Sequence, residues 1–241
     1  MIDFHSHFLH NFDDGSHNVA ESITMLKESY KQGVDTIVST SHFRLGEHKI
    51  NAFVTDRRNR LDEIKAALTD ADKKEIPKII LGSEIEYIPG MHKWDYLDQL
   101  TIQGTNYLLL EMPFVPWTES MINTVEYICY NTPYIPIIPH IDRYFILMIK
   151  PKYYKRLFNL PVIIQLNGIF ANNPNNISHL KNLIDNRVVH LLGSDCHSAE
   201  WRPPNLGRTQ KVITETCDPG ILDEIDYRGR QFLETAHYEE L

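Results

Sequence analysis

Apolar, β-rich runs alternate with amphipathic stretches along most of the chain. Strands are predicted over 2–5, 35–40, 78–84, 106–111, 134–140, 161–167 and 188–194. Between them, apolar residues recur at helical spacing over about 18–32, 53–70, 119–130, 151–158 and 176–186. Gly33 is placed to stop the first of these helices. The strands are continuously apolar rather than alternating, which predicts a parallel sheet covered by helices on both faces. Seven of them favour a closed or nearly closed α/β barrel, with its active site at the C-terminal ends of the strands, over an open doubly wound sheet. From about residue 205 onward the pattern predicts helices packed onto that barrel. No fixed-period repeat, low-complexity tract or linker interrupts the series, so residues 1–241 are expected to form a single domain.

This pattern gives certain polar residues a shared position. His5 and His7, His42, Glu84, Glu111, His140, and Asp195 with His197 all fall at or just after the C-terminal ends of predicted strands. In a parallel α/β barrel the βα loops converge on that rim and build the active site. His5 and His7 alternate across Ser6, so on a strand both rings aim at one point. Asp195 and His197 repeat the spacing across Cys196. His-X-His or Asp-X-His alone is a weak signal, since such pairs also serve as packing or hydrogen-bonding residues. Their joint placement on one rim argues for a metal centre. Five histidines with several carboxylates and no cysteine ligand favour a multinuclear manganese, iron or zinc site over a structural zinc clip. His10, His17, His48, His92, His179, His190 and His237 are expected to be surface or packing residues.

Composition narrows the partners. An apolar content of 42% is ample for one core, and a net charge of −8 argues against a nucleic-acid or anionic-membrane surface. No apolar run approaches a membrane span, and the N-terminus lacks a signal pattern, so a soluble, cytoplasmic protein is expected. Three cysteines without ligand-like spacing suggest reduced thiols, not a disulfide framework.

The opening Ile2, Asp3, Phe4, His5, Ser6, His7, followed by Asp13, Asp14 and Gly15, resembles the polymerase-and-histidinol-phosphatase superfamily. Within it, Ser39 to His42, Gly82 to Glu84, Leu110 and Glu111, Pro139 to Tyr144, Ser194 to His197 and Arg202 to Pro204 look like the bacterial manganese-dependent protein-tyrosine phosphatases of capsule and exopolysaccharide gene clusters. The resemblance runs in consistent order from Met1 to about Asn205. It implies a distorted (β/α)7, TIM-like barrel holding three divalent metal ions, manganese first, with iron or zinc as alternatives. By resemblance, His5, His7, Glu84 and Asp195 would hold the first ion. Glu84 would bridge to a second with Glu111 and His140, and Asp14, His42 and His197 would hold the third. Asp13 stands beside Asp14, and this pair followed by glycine could equally be a turn whose carboxylates cap the following helix.

The implied reaction is hydrolysis of phosphotyrosine by direct attack of a metal-bound hydroxide, without a phosphoenzyme. Arg143 and Arg202 would bind the phosphoryl oxygens bidentately, or else form ion pairs that hold the rim together. The partner implied is a phosphotyrosine protein, a bacterial tyrosine autokinase of polysaccharide assembly, with neither nucleic acid nor membrane insertion. Phe114, Trp117 and Trp201 are the aromatic candidates to flank a phenyl ring. Cys196 and Arg202 match the cysteine-x5-arginine spacing of thiol-dependent phosphatases, but Glu200 and Trp201 suit a phosphate-cradling loop poorly. Competing functions are a small-molecule phosphatase, such as one acting on histidinol phosphate, and a catalytically inactive metal-binding regulator.

Overall fold

The computed structural model describes residues 1–146 and 150–241. In chain order its first half contains β1 (Ile2–Ser6), α1 (Val19–Lys31), β2 (Thr36–Ser39), β3 (His42–Phe43), α2 (Ile50–Ala67), β4 (Lys78–Leu81), β5 (Glu84–Glu86) and β6 (Tyr107–Glu111). There follow α3 (Glu119–Asn131), β7 (Ile135–Ile138), α4 (Ile141–Ile146), α5 (Pro151–Phe158), β8 (Ile163–Asn167), α6 (Gly168–Ala171), α7 (Ile177–Asp185), β9 (Leu191–Gly193), α8 (Leu206–Thr216) and α9 (Ile221–Phe232). Helix α1 ends as its sequence suggests. Gly33 adopts φ +86° and its N–H reaches back to the carbonyl of Tyr30.

Every pairing between these strands is parallel, in the orders β1-β2-β4 and β3-β5-β6-β7-β8-β9. The two sheets are one curled surface, because β2 runs into β3 and β4 into β5 across two-residue breaks at Thr40–Ser41 and Gly82–Ser83. Counted along the chain's path, this makes seven barrel strands. The ends of the curl meet where Ser6 bridges Cys196, the N–H of His7 donates to the carbonyl of Cys196 at 2.9 Å, and the N–H of Asp195 donates to that of His5 at 2.8 Å. An apolar cluster joins Phe4, Val38, Ile80, Leu109, Ile137 and Leu191, one side chain from each of six strands. Strands at opposite ends of the order can share such a cluster only if the sheet curls about a common axis. Larger apolar packing, including Met25 and Leu26 of α1, Leu61 and Ile64 of α2, and Ile122 and Val125 of α3, seals the helices onto the strands. All five residues of β1 are buried, as a strand covered on both faces requires.

The stretch predicted as one strand over 78–84 is interrupted. The N–H of Gly82 turns to the carbonyl of Ser39 at 2.8 Å, and that of Glu84 to Thr40 at 3.0 Å. A side chain at Gly82 would stand 3.2 Å from the Ser39 carbonyl and from Val38, so glycine lets the two chains approach. Helices α4 and α6 were absent from the sequence expectation, being too short to show a period. The tail does form helices, with α9 close enough to the barrel that Gly229 meets the ring of Phe4.

Candidate metal centre

At the C-terminal rim, Glu84 is the hub. Its Oε2 lies 3.1 Å from His5 Nε2, 3.3 Å from His7 Nε2 and 3.2 Å from His42 Nδ1, while Oε1 lies 2.9 Å from His140 Nε2. Register explains part of this: His42 of β3 is paired directly with Glu84 of β5. Glu111, at the end of β6, approaches His140 at 3.5 Å and His42 at 3.9 Å. Asp195 Oδ1 faces His5, His7 and His197 at 3.6, 3.8 and 3.5 Å. Asp14 lies 3.4 Å from His42 Nε2 and 3.5 Å from His197 Nε2. All nine residues singled out as ligand candidates therefore face one another in one cluster. Among the described residues three sets are tight enough to share an ion: His7, Asp14, His42 and His197; His5, His7 and Glu84; and His42, Glu84 and Glu111. His42 stands in two of the sets because its two ring nitrogens point to different carboxylates.

Neighbouring groups orient these rings. His7 Nδ1 lies 2.8 Å from Asp13 Oδ2, and a carboxylate can only accept, so a neutral His7 turns its Nε2 lone pair inward. His197 Nδ1 similarly meets the carbonyl of Asp195 at 3.0 Å. Gln165 Oε1 receives the His140 N–H at 2.8 Å and lies 3.3 Å from His5 Nδ1. Asp13 also accepts the N–H groups of His42 and Gly15, at 2.9 and 3.0 Å. The capping alternative for Asp13 and Asp14 does not hold, since Asn18 caps α1 by accepting the N–H of Glu21.

The electrostatics favour positive charge here. Burial alone would push the Glu84 carboxyl up, yet the imidazoles of His5, His140 and His7 hold it well below the usual range. Burial likewise opposes charge on His140, but Glu111 and Glu84 raise it to about 9. Burial also works against His7, whose pKa Asp13 and Glu84 nonetheless hold well above the ordinary value. A buried set of carboxylates that draws protons onto its imidazoles presents the demand divalent cations would meet, and its oxygen and nitrogen donors suit manganese, iron or zinc.

Arg143 and Arg202 both pair with Asp195 Oδ2, Arg202 at 2.6 Å, and Asn167 Nδ2 donates to the same oxygen at 2.7 Å. Asp195 thus gives one oxygen to the cations of the rim and the other to the imidazoles. Asp13, Gln165 and Asn167 escaped the sequence reading as site residues. Gln165 and Asn167 alternate on apolar β8 just as His5 and His7 do on β1, a signal that could have found them. Trp117 corrects an expectation: it is 3% exposed, packs against Tyr144 and donates to the carbonyl of Pro113, so it cannot line a substrate site. Phe114 is 46% exposed and its ring centre lies 5.6 Å from that of His140. His10 lies outside the cluster and is buried against Glu63 at 2.7 Å. Burial pushes the Cys196 thiol far above its ordinary value, so it is no thiolate nucleophile.

A curled parallel α/β sheet with imidazoles and carboxylates gathered on its C-terminal rim defines a TIM-barrel-like protein built to hold metal. The chain belongs to the CpsB/CapC family of capsular polysaccharide synthesis, whose model matches residues 1–232. This agrees with the resemblance its motifs carry. Tyrosine-protein phosphatase CpsB of Streptococcus agalactiae serotype V is 28% identical over 249 residues, 99% of this chain and 100% of that protein. CapC of Staphylococcus aureus is 31% identical over 222 residues, 84% of this chain and 79% of that protein. A crystal structure from work on YwqE of Bacillus subtilis and CpsB of Streptococcus pneumoniae, described as metal-dependent tyrosine phosphatases, shares the fold. Its TM-score is 0.81 at 22% identity, covering 99% of this chain and 97% of that one.

Proposed function

We propose that this chain is a metal-dependent protein-tyrosine phosphatase. The observation that carries the reading is the convergence of four imidazoles on the two oxygens of buried Glu84, in a chain of the CpsB/CapC family. His5, His7, Glu84 and Asp195 would hold one ion, Glu84, Glu111 and His140 a second, and Asp14, His42 and His197 a third, with manganese the favoured metal. Bound ions supply a water ionised near neutral pH and positive charge for the phosphoryl oxygens.

The protein's own groups do the rest. Arg143 and Arg202 are anchored on Asp195, yet each side chain is about a third exposed, at 34% and 35%. Their remaining N–H groups can therefore reach a phosphate dianion on the rim, with guanidinium geometry suited to its oxygens. Phe114, beside His140 and under Arg143, is placed to flank the phenyl ring. A tyrosine leaving group has a pKa of about 10, so departure needs no strong general acid. The natural substrate in this reading is a phosphotyrosine protein, a tyrosine kinase of polysaccharide assembly, met in the cytoplasm. No helix among the described residues is long and apolar enough to cross a membrane.

The test couples metal analysis to hydrolysis of a phosphotyrosine peptide. Chelation should remove the metal and abolish turnover, and added manganese should restore it. Full activity in the stripped protein, or a metal-loaded protein inert toward every phosphate monoester, would overturn the reading.

A further inference from the structure

Next to the metal cluster, and sharing Asp195 and Arg202 with it, lies a groove of about 330 Å³. Ile169, Trp201, Pro203 and Pro204 form apolar walls, and Arg208 of α8 stands at its edge. Trp201 is 90% exposed, although nothing in the core calls for an indole there. The backbone that carries it is nonetheless fixed. The hydroxyl of Ser198 accepts the N–H groups of Trp201 and Arg202 at 2.8 and 3.2 Å, and the carbonyl of Arg202 accepts the N–H of His197 at 2.9 Å. Asn205 donates to the carbonyls of Ser194 and Pro203, and Gln32 to that of Pro204. A loop whose backbone is already ordered and that presents a large aromatic to water beside a reaction centre is built for contact, since little backbone entropy remains to be lost on binding.

Charge points to the occupant. The chain carries a net −8, yet Arg208 is exposed and pairs with no carboxylate among the described residues, whereas nearby Arg202 and Lys211 do. We propose that this groove receives the polypeptide flanking the phosphotyrosine, with an apolar side chain against Trp201 and the two prolines and an acidic side chain on Arg208. The proposal rests on the phosphatase reading and names its substrate class: phosphotyrosine peptides with acidic flanks. The shared wall at Arg202 makes the groove continuous with the site where the phosphoryl group would sit, so one extended peptide can occupy both.

The experiment measures kcat/KM of the metal-loaded protein on two phosphotyrosine peptides, alike except for aspartate or lysine beside the tyrosine, and on p-nitrophenyl phosphate. The aspartate peptide should be preferred by about 2- to 5-fold, the range of one exposed ion pair, through KM. Arg208→Glu should reverse that preference. Trp201→Ala should lower the ratio of peptide to p-nitrophenyl phosphate turnover for both peptides. Both positions are exposed, so neither change threatens folding. A peptide ratio that Arg208→Glu leaves unmoved overturns the groove while metal-dependent p-nitrophenyl phosphate turnover keeps the phosphatase reading standing. Absence of that turnover overturns both.

Discussion

Replacing Asp13 by asparagine tests whether the cluster is oriented from behind. The Asp13 side chain is 2% exposed, and its carboxylate meets His7 Nδ1 at 2.8 Å and the His42 N–H at 2.9 Å. Burial would raise its pKa, but His7 and the His42 N–H lower it from 3.8 to about 2. A shift of that size corresponds to roughly 2 kcal/mol of preference for the charged form. Because the shift is downward, the interaction is complete above the ordinary value and fades only as pH falls toward 2. An assay near neutral pH therefore finds Asp13 charged. Its Oδ2 serves both His7 and His42 while Oδ1 accepts the Gly15 N–H, so an asparagine amide must set a donor either against that pair or against the Gly15 N–H. In the first placement His7 loses the acceptor that directs its Nε2 inward; in the second it keeps only a neutral amide oxygen on a displaced turn. Disturbing such an orienting group costs about 10- to 100-fold in metal affinity. The expected result is a manganese titration displaced by that factor, measured by calorimetry and by activity, with turnover recovered at saturating metal. An unchanged midpoint would refute the orienting role. So would a loss of activity that no metal concentration repairs in a protein melting like the parent.

Three further outcomes follow from the same geometry. Cys196→Ser should keep turnover at the parent level, and iodoacetamide should not inactivate the parent, because the buried thiol is held protonated; loss of activity with metal content intact would contradict this. Trp117→Ala should destabilise by about 3–5 kcal/mol in denaturant melts while leaving KM for an aryl phosphate unchanged in the folded fraction; a raised KM would return Trp117 to the substrate site. Gly193→Ala should weaken metal binding, since its Cβ would stand 2.5 Å from His5 Cβ and 2.6 Å from Gln165 Nε2; a parental metal titration would show that His5 is not held where the structure places it.

The strand series and the rim were legible because both follow from local rules. Continuous apolar runs mark strands buried on two faces, and a polar residue ending such a run has one place to go. What stayed hidden was set by contacts distant in sequence. Trp117 is a loop aromatic whose core role is hidden because its partner Tyr144 lies on α4, distant along the chain. Asp13 and Asp14 are neighbours of one type, yet one is buried under His7 while the other has a side chain 59% exposed and faces His42 and His197. Nothing in their order distinguishes them; the turn that separates them is closed by Gly15, whose Cβ would fall 2.1 Å from the carbonyl of His7. Gln165 and Asn167 alternate visibly, but amides in a strand carry no charge to draw notice.

The cluster also depends on backbone that sequence periodicity cannot show. His140 and Asp195 follow the ends of β7 and β9 with φ of +35° and +52°, a region that side chains rarely adopt. Each costs of order 1–3 kcal/mol and persists only where surroundings over-determine it. Here buried hydrogen bonds do so: Gln165 accepts the His140 N–H, and the His5 carbonyl accepts that of Asp195. The turn releases both side chains from the strand pleat and swings them toward Glu84 and the imidazoles. Glycine at either position would relax the backbone but remove a donor that the cluster uses. The strain is therefore retained where the chemistry needs the side chain, and the breaks at Thr40–Ser41 and Gly82–Ser83 achieve the same redirection for His42 and Glu84 by interrupting the strand instead.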